Sequence, residues 1–396
     1  MQNQKPGWIL FIFFMLLFSG VSAFNLTKQA EISVLTCSPG DEAYSVYGHS
    51  AIRVHDPILQ YDMVFNYGIF DFSSSNFVWR FAKGETDYLL GATKYRAFMS
   101  EYIHYRRSVF EQQLNLSQAE KQKIFDFLLW NAAPENRVYR YNFFFDNCAT
   151  RVRDVIAQNI EGGVEYTDLA SGKTFRDLIS DYQQKLPWLN FGVDFLVGAD
   201  ADCEATLQEE MFMPDYILKH FAAARRADNG EALVAKTQVL YKAPESVLKK
   251  NVITSPFAAC SFLFLLILVF SFKQFRKEKL KPVPDLILLG INSFSGLFVS
   301  WFVFYSEHPA MSPNYNLLWL FPLNFVFVLL WMKKKWRPFL RYYHLFISAW
   351  WVLFIVTGAF LPQKFHPVFF LMTGMFLIRP LLHSFLILKE RKSLKQ

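Results

Sequence analysis

The chain has 396 residues, of which 53% are hydrophobic and 18% aromatic, with 44 phenylalanines. That is more apolar material than one water-soluble core takes up, so a wholly soluble fold is excluded and part of the chain is expected in lipid. The formal charge of +7 is unevenly placed: residues 24–253 hold 24 Lys/Arg against 30 Asp/Glu, a net of −6, which argues against a nucleic-acid partner.

The first two dozen residues read as an export signal. Lys5 and the amino terminus form a weak positive start, Trp8 to Phe18 an apolar stretch, and Val21-Ser22-Ala23 a small-residue site with cleavage before Phe24. An uncleaved anchor is the competing reading, and the shortness of the apolar run favours cleavage. Residues 24–253 then have the composition of a soluble domain. Glu31 to Thr36 and Ser50 to His55 alternate as strands, and Asp62 to Phe72 reads as a third after the Asp56-Pro57 turn signal. A hairpin pairing His55 with Asp62 puts His49 opposite Gly68 and Ala51 opposite Asn66, so that His49 and Asn66 become diagonal neighbours on one face.

Helices follow. Ser117 and Glu120 have the spacing of a capping box, and Ile124, Phe125, Leu128 and Leu129 form an apolar stripe read as core. The run Phe143-Phe144-Phe145-Asp146-Asn147-Cys148-Ala149-Thr150-Arg151 passes from aromatic residues through two capping types into a helical pattern. Cys148 therefore falls in a first helical turn, where free N–H groups and the helix dipole favour a thiolate and are expected to bring its pKa below the ordinary value of about 8.5. An arbitrary cysteine is more often a small buried hydrophobe; here His49, in Gly48-His49-Ser50, offers a base. Further helices are expected over Thr174 to Tyr182 and Tyr216 to Ala224, a Gly/Asp-rich passage around Gly198 to Asp202, and a strand over Ala235 to Tyr241.

The four cysteines, Cys37, Cys148, Cys203 and Cys260, show no CxxC or Cys/His ligand spacing, so no metal site is expected. Cys260 reads as a packing residue. A Cys37–Cys203 disulfide, which would leave Cys148 free, stays open.

Five apolar runs fill the rest, at about 254–272, 285–305, 315–332, 342–361 and 367–388, each about 20 residues and long enough to cross ~30 Å of hydrocarbon. Lys273, Arg276, Lys277, Lys279 and Lys281 follow the first run. Lys333, Lys334, Lys335, Arg337 and Arg341 follow the third, and Lys389, Arg391, Lys392 and Lys395 the last. The loops at 306–314 and 362–366 hold a single lysine, so the positive-inside rule puts the basic loops and the C-terminus in the cytoplasm and residues 24–253 outside. Trp301, Tyr305, Tyr315, Trp319, Trp331 and Trp336 fall near expected membrane boundaries. Arg379, inside the last run, is read either as a buried site or as a side chain snorkelling to the cytoplasmic face. Glu307-His308-Pro309 and Asn314-Tyr315-Asn316 sit on the outer loop, either as solvated surface or as part of a site between loop and domain.

Gly48-His49-Ser50-Ala51-Ile52-Arg53, Asn66-Tyr67-Gly68 and Asp146-Asn147-Cys148-Ala149-Thr150-Arg151, in that order, resemble the exported domain of the bacterial Lnb-type lipoprotein N-acyltransferases, and Glu307-His308-Pro309 with Asn314 to Leu318 is similar to that family's first outer loop. The resemblance covers nearly the whole mature chain. It implies an α+β fold, a circularly permuted papain-like domain akin to NlpC and lecithin:retinol acyltransferase proteins, followed by a five-helix transmembrane bundle. The expected division is a signal peptide over 1–23, a periplasmic thiol acyltransferase domain over 24–253, transmembrane helices over 254–388 and a cytoplasmic basic tail over 389–396. The implied reaction moves an acyl chain from a phospholipid, through a Cys148 thioester, to the α-amine of a diacylated lipoprotein, in the bacterial inner membrane and without a cofactor. His49 would be the base and Asn66 its orienting partner, with Tyr67, His308, Asn314 and Asn316 as candidate substrate contacts. A cell-wall peptidase or amidase would use the same Cys and His but needs at most one membrane anchor, and a non-catalytic scaffold needs neither residue.

Overall fold

The structure is a computed structural model that describes residues 24–70, 76–244, 252–278 and 280–393. The expected export signal over 1–23 and the last three residues of the basic tail lie outside the described residues.

A seven-stranded antiparallel sheet organises the first half, built from β1 (Glu31–Cys37), β2 (His49–Asp56), β3 (Tyr61–Ile69), β4 (Asp87–Lys94), β5 (Val109–Leu114) and β6 (Val138–Arg140). A two-strand ribbon of β7 (Val164–Glu165) and β8 (Arg225–Arg226) stands apart, and β9 (Val234–Tyr241) returns to the main sheet, whose order is β6-β4-β3-β2-β1-β5-β9. β1 lies inside the sheet, between β2 and β5, and is buried at every position after Glu31, because both of its faces are covered. Ile32, Val34, Ile52, Val54, Phe65 and Tyr67 pack beneath the helices Gln118–Ala132, Cys148–Asn159 and Pro214–Ala223. The alternate residues Leu35, Cys37, Ala51 and Val64 pack with Phe98 and Tyr102 of the helix Tyr95–His104 on the other face. The α+β class follows from this segregation of helices about one antiparallel sheet.

The β2–β3 ladder runs from Asp56↔Tyr61 to Ile52↔Phe65 and includes the expected His55↔Asp62 pair. β3 ends at Ile69 rather than Phe72, and residues 71–75 lie outside the described residues. The ladder from β3 to β4 shifts register between Asn66 and Ile69, a bulge that holds Gly68 at φ 90°. The capping box forms as expected, with Ser117 and Glu120 bonding each other's backbone N–H. Thr174 caps the helix Phe175–Gln183, and Pro214 itself opens the helix expected from Tyr216.

The second half is helical, and among the described residues four helices are long and apolar enough to cross a membrane: Pro256–Phe275, Pro282–Tyr305, Lys334–Phe360 and Pro367–Lys389. The third apolar run, Asn316–Met332, is shorter and breaks after Trp319. Pro322 cannot donate there, and buried side chains meet the freed backbone groups. Asn292 donates to Trp319 O at 2.9 Å and accepts from Phe321 N at 3.1 Å, while Ser293 donates to Pro322 O at 2.6 Å. Gly296 permits the approach, since a Cβ there would lie 2.3 Å from Leu320 O. Trp319 is consequently a core residue, fully buried, not a member of the interfacial belt. Arg379 is 1% exposed and forked onto Asp285, which also takes His383 Nε2 at 3.0 Å. Of its two readings the structure shows the buried one.

The soluble half sits on the bundle end that carries the loops at 306–316 and 361–366. Gly198 N donates to Ala310 O at 2.7 Å, Ala199 N to Pro313 O at 2.8 Å, and Lys364 pairs with Asp177 at 2.7 Å. The basic segments lie at the opposite end of the same helices.

Candidate active site

Cys148 is the first residue of the helix Cys148–Asn159, and Asn147 is its cap. Asn147 Oδ1 accepts from the N–H groups of Ala149 at 2.8 Å and Thr150 at 2.9 Å. Its Nδ2 is anchored on Phe143 O and Phe212 O, both at 2.8 Å, which fixes the aromatic run against the helix start. Asp146 does not cap; it is forked onto Arg151, whose guanidinium lies 4.1 Å from the Tyr139 ring centroid. Arg53, the other motif arginine, is likewise held by Asp62 and Glu111.

His49 and Asn66 lie past the last pair of the β2–β3 ladder, where His49 Nε2 meets Asn66 Oδ1 at 3.2 Å. Asn66 Nδ2 donates to Val64 O, so its oxygen faces the imidazole. Nε2 therefore carries the proton and Nδ1 the lone pair. The His49 ring stacks on Tyr102 at 6.5 Å between centroids. Burial beside the Arg107 cation lowers the His49 pKa from 6.5 to about 4, so the imidazole is neutral at physiological pH.

Cys148 reaches the same corner over the Gly68 backbone: a Cβ added at Gly68 would sit 3.5 Å from Cys148 Cβ. Among the described residues no hydrogen bond joins the thiol to His49; the backbone N–H groups of Ser50, next in chain to His49, and of Ala149 point at the sulfur instead. The expected depression of the thiol pKa is reversed. Burial is the largest influence and raises it, and it outweighs the backbone N–H groups and Arg107, which lower it. The corner therefore holds a neutral thiol beside a neutral imidazole, not a preformed ion pair.

Tyr67 is 1% exposed, and its hydroxyl donates to Asn131 Oδ1 at 2.6 Å within the core. His308 Nε2 donates to Phe81 O at 2.6 Å, tying the outer loop to the helix Phe77–Lys83. Asn314 Nδ2 donates to Leu196 O at 2.7 Å and Asn316 Nδ2 to Asp194 O at 3.0 Å. Through these bonds the three outer-loop residues join the domain to the bundle. Sequence reasoning missed Arg107, whose charge acts on both Cys148 and His49, and Tyr139, whose hydroxyl is buried near the thiol with no hydrogen-bond partner among the described residues. The alternation of Tyr139 and Tyr141 just ahead of the aromatic run was the available signal for the latter. The four cysteines are unpaired, and Cys37 is buried directly opposite His49 in the β1–β2 register, which leaves the exposed Cys203 no partner there. No group of three or more His, Cys, Asp or Glu with metal-holding geometry occurs among the described residues.

Residues 22–182 match the family model described as the Lnb N-terminal periplasmic domain, and residues 248–391 match the one described as the Lnb transmembrane domain. No curated protein and no solved structure matches the chain.

Proposed function

The chain belongs to the Lnb family, a membrane protein with a periplasmic N-terminal domain, and from that membership we propose that it is a lipoprotein N-acyltransferase working through Cys148. The observation that carries the reading is a helix-start thiol beside a His49–Asn66 pair, in a domain seated on a membrane bundle.

The chemistry follows from the two neutral partners. His49 Nδ1 takes the Cys148 proton as sulfur attacks an ester carbonyl of a phospholipid; the C–S bond forms, the C–O bond breaks, and the proton passes to the glycerol oxygen of the departing lysophospholipid. The α-amine of an S-diacylglyceryl cysteine then attacks the thioester. The N–C bond forms, the C–S bond breaks, and the amine proton returns to sulfur by way of His49. Asn66 holds the imidazole in the tautomer this requires. The Cys148 N–H at the helix start is the candidate oxyanion donor, since the Ala149 N–H is taken by the Asn147 cap. His308, Asn314 and Asn316 act at one remove, by holding the domain at the bilayer surface where both lipid substrates lie.

The same reading takes the domain as circularly permuted papain-like, with the histidine strand ahead of the cysteine helix. It places the protein in the inner membrane, with residues 1–23 removed on export, 24–253 in the periplasm, 254–388 in the membrane and 389–396 in the cytoplasm. A wall peptidase with the same thiol has no use for a bundle that the domain grips at so many points. The test is N-acylation of a diacylated lipoprotein in a strain dependent on this protein: Cys148→Ala abolishes it, and retained acylation would remove the thiol from the reaction.

A further inference from the structure

Two short helices of the first half end on the loop that leaves the helix Pro282–Tyr305. Phe77–Lys83 gives its last carbonyls to that loop: Phe81 O accepts from His308 Nε2 at 2.6 Å, Ala82 O from Ser306 Oγ at 2.9 Å and Lys83 O from the Glu307 N–H at 2.7 Å. Pro187–Leu196 does the same further along the loop. Asn316 Nδ2 donates to Asp194 O at 3.0 Å and Phe195 O at 3.2 Å, and Asn314 Nδ2 to Leu196 O at 2.7 Å. The loop thus fixes both helices at the level of Tyr305. Length sets that level: the 24 residues of Pro282–Tyr305, at about 1.5 Å each, reach about 36 Å, past the ~30 Å of hydrocarbon and into the head-group layer. What the two helices expose there is aromatic. Trp79 is 57% exposed while packing on Trp301 at 4.9 Å, and Trp188 is 52% exposed with its Nε1 donating to Thr254 O at 2.7 Å, just ahead of the helix Pro256–Phe275. Both continue the exposed apolar surface that Phe257, Phe304 and Tyr305 form at the same end of the spans.

We propose that both helices lie in the head-group layer of the bilayer with Trp79 and Trp188 against phospholipid, so that the first half of the chain is itself a membrane-contacting domain. The contact is made by rings and not by charge. Around the first helix Arg80, Lys83 and Arg140 are matched by Glu85, Asp87 and Glu307, and Asp194, the one charged residue of the second helix, is buried against Arg176. The inference needs only that the bundle sits in a bilayer, and it stands or falls apart from the acyl-transfer reading. Its consequence for the thiol comes from the sheet. β3 leaves at Ile69 and β4 re-enters at Asp87, at the sheet end that carries His49, Asn66 and Gly68, and the helix Phe77–Lys83 lies in that connection. The lipid contact therefore turns the Cys148 end of the sheet toward the bilayer and the β2–β3 turn at Ile58 away from it.

The test uses the unaltered full chain in vesicles of a zwitterionic phospholipid, doped with a phospholipid that carries a photoactivated carbene precursor near the head-group end of its acyl chain. Labelled peptides are read by mass spectrometry. Segments 77–83 and 187–196 are expected to take up label, as the span Pro256–Phe275 must, while the turn at Ile58, 60% exposed at the far end of the sheet, takes up none. A water-borne carbene precursor is expected to give the reverse, marking the Ile58 turn and sparing Trp79 and Trp188. Exchanging the zwitterionic lipid for an anionic one should leave the uptake unchanged, because neither helix offers it an unmatched cation. Marking of Trp79 or Trp188 from water as strong as at Ile58 overturns the proposal. Protection of either ring from both reagents overturns it too, since protein and not lipid would then cover that ring. Uptake that rises with anionic lipid would show a contact made by charge and would equally contradict it.

Discussion

His49 Nε2 and Asn66 Oδ1 stand 3.2 Å apart, on strands whose ladder has already ended at Ile52↔Phe65. The contact is between side chains that the sheet delivers to its open end, and it selects the imidazole tautomer that leaves Nδ1 free. Asn66→Ala is expected to lower the rate of acyl transfer roughly 10- to 100-fold through misplacement of the ring. His49→Ala should cost more, ~10² to 10⁴-fold. An Asn66→Ala protein with unchanged kcat would mean that the pair is structural.

The protonation states give a pH profile. His49, lowered to about 4, remains a competent base down to that pH, so the acid limb of the rate is expected near 4 and not near 6.5. The thiol is raised, so alkylation of Cys148 by a small neutral reagent should be slow at pH 6 and climb above the ordinary thiol range. Fast alkylation at pH 5 to 6 would indicate a preformed ion pair and contradict this description. The linkage to stability has a definite sign: the folded state resists protonation of His49, so folding is penalised increasingly as pH falls from 6.5 toward about 4 and not above 6.5. His49→Gln should remove that part of the slope.

Glu120 anchors the other end of the domain. It accepts from Arg226 Nη1 at 2.8 Å and Nη2 at 2.9 Å, from Ser117 N at 2.8 Å and from Glu161 N at 2.8 Å. The partners hold its pKa down at about 2 against desolvation, so its contribution is complete above pH 4.5 and is lost as pH falls toward 2. Glu120→Gln, which leaves Arg226 with a buried and incompletely matched charge, should destabilise the protein by about 3 kcal/mol in denaturant unfolding. A change below about 0.5 kcal/mol would show the network to be solvated.

The division of the chain yields a topological prediction. Reporter fusions after Lys281 and at the C-terminus should report cytoplasm, and one near Pro309 the exterior. The reverse pattern would remove access to exported lipoproteins.

Much of this corner was legible because it is local. The Asn147 cap and the His55↔Asp62 register follow from neighbours a few residues apart, and the register alone brings Asn66 toward His49. What depends on burial was not. The helix start promised a low thiol pKa, but desolvation, which sequence spacing does not encode, outweighs the amides. Asn314 and Asn316 were conspicuous as polar groups on an outer loop, but their partners, Leu196 O and Asp194 O, were not, because they lie over a hundred positions away. The break within the third apolar run was not legible, since hydropathy does not register Asn292 and Ser293 bonding the backbone that Pro322 interrupts. Arg107 escaped notice for the same reason, as nothing in an Arg-Arg pair after a helix says that one of them turns inward.

The central claim is that an acyl group rests on Cys148, and intact-mass measurement of the full chain incubated with phospholipid and no lipoprotein tests it most directly. The account predicts a hydroxylamine-labile acyl adduct at Cys148, discharged as an amide by a diacylated lipoprotein with a free N-terminal amine and not by one whose amine is blocked. An unmodified Cys148 in protein that still acylates lipoprotein would contradict it.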